Sequence, residues 1–151
     1  MITTAPSLEQ LMLSITQEMH VRSSLQSTFD ALCEQIGPHN ETPDGKPLPM
    51  MIETHPGGRW YRELGGDNGH LWGFVQSIKR PVLLEIWGPL FLSTAATSNL
   101  TYRLSETPDG TLIKFTHTLL GPFPEDHRPR LAAGWTALHA RVRKAAESAA
   151  Q

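Results

Sequence analysis

The residue best placed by type and spacing to move a proton is His117. It lies in TLIKFTHTLLGPF, residues 111–123, where Ile113, Phe115, His117 and Leu119 share one parity and Lys114, Thr116 and Thr118 the other. A period of two is that of a strand, so an imidazole sits on an otherwise apolar face. Imidazole titrates near neutral pH and can act as proton donor, proton acceptor or ligand hydrogen-bonder. The bland reading, favoured here over catalysis, is a neutral core histidine bonded to a backbone carbonyl or to a hydroxyl such as that of Tyr102. The second candidate is Glu85 in PVLLEIW, which shares parity with Leu83 and Trp87. If that face is covered, a desolvated carboxylate in contact with His117 would make an acid–base pair. If Val82, Leu84 and Ile86 face inward instead, Glu85 is simply solvated. The alternation leaves both arrangements open.

Other chemistries find less support. The seven histidines form no HxH or HExxH motif and have no carboxylate cluster at ligand spacing; His127 and His139 are not helical neighbours. No metal and no cofactor is therefore expected. GGDNG, residues 65–69, lacks the lysine and following helix of a phosphate cradle and reads as a hairpin connection. There is no GxSxG elbow. Cys33 is the only cysteine, which excludes an internal disulfide and CxxC zinc sites; with no nearby cation to favour the thiolate, inert burial is expected. Trp60, Trp72, Trp87 and Trp135 either line a pocket for a flat or lipidic ligand or fill the space between layers.

Lysine plus arginine number 13 against 15 aspartates and glutamates, so no global field attracts nucleic acid or an anionic membrane. Arg141, Arg143 and Lys144 cluster where cations complement the end of a helix dipole. No apolar run approaches the length of a membrane span, and Glu9 and Gln10 interrupt any leader-like stretch, so a cytoplasmic, soluble protein is expected.

The elements that must position these groups follow from periodicity. Residues 1–8 read as a flexible tail and 9–148 as a single domain, large enough to bury roughly 70% of its unfolded surface. From Leu11 to Val21 apolar and polar residues alternate as in a half-buried strand. Leu25, Phe29, Leu32 and Ile36 form a helical stripe, capped by Ser23 or Ser24 and stopped at Gly37-Pro38. Residues 37–49 are loop. The runs MMIET, GRWYREL, HLWGFVQSI, PVLLEIW, NLTYRLS and TLIKFTHTLL follow at a spacing that suggests an antiparallel sheet. ETPDG occurs at 41–45 and 106–110; in the second copy Pro108 presets a turn and Gly110 can take positive φ. A last helix carries the stripe Leu131, Trp135, Leu138 and Val142, with Gly134 small enough to allow a close approach to the sheet. The fold class is α+β.

HPGGRWYREL, GHLWGFVQSIKRPVLLEIW, TYRLSETPDGTLIKFTHTLLG and GWTALHARV, in this order, resemble the activator of heat-shock-protein-90 ATPase homologue-like (AHSA-type) family of the START/Bet v 1-like (SRPBCC) superfamily, over about residues 11–146. The resemblance implies a helix-grip fold, a curved antiparallel sheet of six to seven strands wrapped around the C-terminal helix, with an internal cavity that accepts hydrophobic molecules. Two positions depart from the family pattern. VRSSLQSTF replaces the usual A-P-x-E-x-V/I-W entry, with Phe29 at the tryptophan position, and Glu85 stands where an apolar residue is usual.

Three functions are consistent with this reading. The favoured one is non-covalent binding of a hydrophobic or aromatic molecule between sheet and helix. Its expected wall is Trp60, Trp72, Phe74, Trp87 and Tyr102 from the sheet, with Phe115, His117, Trp135 and Leu138. The second is a chaperone-interacting module, and the third a cyclase or hydratase-type enzyme using His117 and Glu85. A monomer or homodimer fits all three.

Overall fold

The runs of period two form strands and both apolar stripes form helices in the computed structural model, which describes residues 4–149. The strands are β1 (Met12–Val21), β2 (Met51–Ile52), β3 (Arg59–Gly65), β4 (Asn68–Lys79), β5 (Leu83–Gly88), β6 (Thr97–Thr107) and β7 (Gly110–Leu120); the helices are α1 (Leu25–Ile36) and α2 (His127–Ala149). Of the expected tail, residues 1–3 lie outside the described residues, residues 4–7 carry no regular structure, and a 3₁₀ turn spans Glu9–Leu11. All strands join one antiparallel sheet in the order β1-β7-β6-β5-β4-β3-β2. MMIET contributes only two residues to it, because the chain turns away at His55–Gly58, where the Gly58 amide bonds the His55 carbonyl.

Ser24 caps α1, its hydroxyl accepting from the Ser27 amide at 3.1 Å. At the other end a tryptophan serves as the cap: Trp60 Nε1–H donates to the Ile36 carbonyl at 2.8 Å, one of the groups a helix end leaves without an internal partner. Gly66 and Asp67, at φ 60° and 61°, make the β3–β4 hairpin a type I′ turn, whose twist suits the flanking strands. The β6–β7 hairpin corrects an expectation. Gly110 has no positive φ; it is required because a Cβ there would stand 2.0 Å from the Val21 carbonyl oxygen.

Bulges in the β3–β4 and β4–β5 pairings bend the sheet around α2. The α2 stripe Leu131, Trp135, Leu138 and Val142 is buried, and Ala146 continues it. It packs into one core with Ile113, Phe115 and Leu119 of β7 and with Phe29, Leu32 and Ile36 of α1. Each such side chain contributes on the order of 2 kcal/mol through burial.

Candidate ligand cavity

The sheet's inner face continues past the core toward β3 and β4, and there a space opens between it and α2. A cavity of about 320 Å³ remains, lined mostly by apolar side chains. Trp60 and Trp72 form one wall, their rings edge to face at 5.1 Å, and Phe91 extends the row at 5.5 Å from Trp72. Leu131, Gly134, Trp135 and Leu138 of α2 form the opposite wall. Asn40, Glu41, Thr42, Pro43 and Leu48 form the roof.

That roof is the segment read as loop from sequence. It is a small folded flap: Thr42 N–H bonds the Lys46 carbonyl at 2.8 Å, Leu48 N–H the Asn40 carbonyl at 2.8 Å, and Asn40 Nδ2–H the Leu48 carbonyl at 3.0 Å. Gly45, at φ +85°, closes its turn. Arg141 ties it to α2, Nη2–H donating to the Glu41 carbonyl at 3.2 Å.

Trp72 reaches the wall through a bulge. Trp60 pairs with Gly73 and Tyr61 with Leu71, so Trp72 is an extra residue on β4 and escapes the alternation. Its neighbours must be small. A Cβ on Gly73 would meet the Trp87 carbonyl oxygen at 2.6 Å, and one on Gly88 the Trp72 carbonyl oxygen at 2.5 Å.

Several expected wall residues lie elsewhere. Phe74 and Trp87 pair across β4 and β5 on the outer face, their rings 5.4 Å apart, and Trp87 is 48% exposed. Glu85 shares that outer face, opposite Ser77 and Thr101, while Leu84 and Ile86 are buried inward. His117 pairs with the buried Leu100 and Ile15 on the inner face, so the sheet separates it from Glu85 and the two form no acid–base pair. Tyr102 and Phe115 lie in the core beside the cavity.

His117 is fully buried and uses both ring nitrogens. Trp135 Nε1–H, which can only donate, gives its proton to His117 Nδ1 at 3.0 Å; the ring's own hydrogen is therefore on Nε2, which donates to Ser98 Oγ at 2.9 Å. Ser98, rather than Tyr102, is the hydroxyl partner. Tyr102 O–H instead donates to His139 Nε2 at 2.9 Å, and His139 Nδ1–H to Gln17 Oε1 at 2.8 Å. The Gln17 amide nitrogen then donates to the Ala132 carbonyl and to Thr136 Oγ1, both at 3.1 Å. Burial lowers both histidines to about 4, so the rings are neutral at pH 7. Two chains of hydrogen bonds thus dock α2 on the sheet, and the first of them holds Trp135 in the cavity wall. His139 was not singled out from sequence, although it stands four residues after Trp135 and three before Val142, on the buried face. Cys33 is half-buried and burial pushes its thiol up to about 11, in keeping with inertness.

Among the described residues no group of three or more histidine, cysteine, aspartate or glutamate side chains could hold a metal ion, and no helix is long and apolar enough to cross a membrane.

A seven-stranded antiparallel sheet curved around a long terminal helix is the helix-grip, Bet v 1-like fold. Solved structures agree. Protein CV1439 from Chromobacterium violaceum superposes with a TM-score of 0.71 at 11% identity, over 89% of this chain and 96% of that one. Ara h 8.0201 gives 0.64 at 14% identity, over 91% and 99%. The di-domain ARO/CYC protein StfQ from the steffimycin biosynthetic pathway gives 0.66 at 11% identity; the match covers 95% of this chain but 53% of StfQ, about half its length. No protein-family model matches the sequence, and no curated protein is significantly similar to it.

Proposed function

We propose that this protein binds an apolar small molecule, without covalent chemistry, between α2, the β3–β4 wall and the flap. The observation that carries this is the empty volume of about 320 Å³ left between Trp60, Trp72 and Trp135. Three indoles pack there and still do not fill it, and volumes of roughly 300–1,000 Å³ with a few polar groups suit small ligands.

Gly134 gives the test. A Cβ there would meet only Pro43 Cγ at 3.8 Å, so the glycine borders open space rather than permitting a close helix–sheet contact as its size suggested. Gly134→Trp is expected to fill the cavity while improving helix propensity. Decanol, an uncharged apolar probe, should raise the melting temperature of the wild type by about 5–10 °C at a hundred times its Kd. The Gly134→Trp protein should remain folded and show no rise. A rise of equal size in both proteins would contradict binding at this place.

Assignment to the AHSA-type family rests on the order of the four motifs quoted above, and with it comes a second reading, docking of a chaperone. The outer face supports it, since Trp87 stands 48% exposed against Phe74. A chaperone complex formed there would survive Gly134→Trp.

A further inference from the structure

The cavity is long and has polar side chains at both ends. Its α2 wall runs from His127 to Arg141, about four turns or 21 Å of helix. Among the described residues, five buried side-chain polar atoms have no hydrogen-bond partner, and two of these belong to lining residues: Nδ1 of His127 and Nε of Arg141. They stand at opposite ends, too far apart to meet one charged group. Arg130, beside His127, is 75% exposed and faces Asp126 at 3.9 Å. Arg141 is only 19% exposed. Its Nη2 is engaged by the Glu41 carbonyl, but its Nε is 4.0 Å from the Glu41 carboxylate, beyond hydrogen-bond distance. A guanidinium largely removed from water and left with an unused N–H at the end of an apolar cleft is suited to an anionic oxygen.

We infer that the ligand is an elongated apolar monocarboxylate, its carboxylate accepting from the Arg141 guanidinium and its chain lying along Leu138, Gly134 and Leu131 toward Trp72. This rests on the cavity being the binding site. The chemistry separates it from plain apolar binding, because an apolar cleft alone favours an uncharged ligand over a charged one of equal length.

The experiment compares decanoate with decanol by titration calorimetry at pH 7.5. Decanoate is expected to bind about tenfold more tightly, the scale of one charge-assisted hydrogen bond. Arg141→Met, which keeps most of the aliphatic stem, should lower the ratio of decanoate to decanol affinity by at least about tenfold, so that the preference for decanoate is lost or reversed. Glu41→Gln, which removes the competing carboxylate, should tighten decanoate relative to decanol. Decanol binding as well as decanoate to the wild type, or a decanoate preference that survives Arg141→Met in a folded protein, would overturn the carboxylate inference while leaving the cavity reading intact. Binding of neither probe would overturn both. The wild-type comparison needs no variant, so a poorly folded Arg141→Met protein would not spare the inference.

Discussion

Lowering the pH from 7 to 4.5 should remove about 5 kcal/mol of this protein's stability, before carboxylate protonation accounts for it. His117 and His139 are buried and neutral, each lowered from 6.5 to about 4 by desolvation. A group whose folded pKa is depressed binds its proton more readily in the unfolded chain. Its contribution is therefore complete above about 6.5 and is lost as pH falls from there to about 4. The full loss is about 3 kcal/mol for each histidine, against a total stability on the order of 5–15 kcal/mol. The hydrogen bonds add a reason for His117 to be the worse case. A proton on its Nδ1 would face Trp135 Nε1–H, donor against donor, whereas Tyr102 can rotate its hydroxyl and accept from a protonated His139. Glu53, held near 2 by Arg59, titrates in a lower window and leaves this one to the histidines. Urea unfolding followed by tryptophan fluorescence at half-unit pH steps measures the slope. A stability that is flat between pH 7 and 4.5 would contradict the assignment of both rings as neutral clamps.

Replacing Trp135 should have an effect of similar size. Its ring packs on Phe115 at 4.9 Å and stacks parallel to His139, and its N–H is bonded to His117. Trp135→Ala is expected to cost about 3–5 kcal/mol, the range for large aromatic truncations in a core. Trp135→Phe keeps much of the packing but leaves His117 Nδ1 as a buried acceptor without a donor, a loss of about 1–3 kcal/mol. Denaturant unfolding of the two variants separates the contributions. A phenylalanine variant as stable as the wild type would mean that the indole N–H does not hold α2 to the sheet.

Local periodicity made the scaffold legible. The α2 stripe, the α1 stripe with its serine cap and the parity of β7 could all be read from residue type and spacing, because each depends on neighbours along the chain. Glu85 illustrates the limit. The alternation of Val82, Leu84 and Ile86 against Leu83, Glu85 and Trp87 leaves both faces open to it, because parity alone does not say which side of a strand the core lies on. Phe74 and Trp87 were grouped with the wall because they are aromatic, although Trp87 shares parity with Glu85. Phe74 shares parity with Trp72, and only a bulge, set by pairing with a distant strand, sends one inward and the other outward. A signal was present in the Trp72-Gly73 and Trp87-Gly88 dipeptides, since glycine inside a strand marks close backbone approach. The flap was read as a loop with turn residues. Its docking over α2 depends on Arg141, one hundred residues away in sequence, and no local pattern encodes that contact.

Two-dimensional ¹H–¹⁵N spectra give the most direct test of the cavity, because the four indole N–H signals report on three residues inside it and one outside. Titration with decanol should shift the signals of Trp60, Trp72 and Trp135 along one saturable curve and leave that of Trp87, on the outer face, unmoved. Saturable shifts confined to Trp87, or no shift of any indole signal while decanol binds, would contradict a binding cavity between α2 and the sheet.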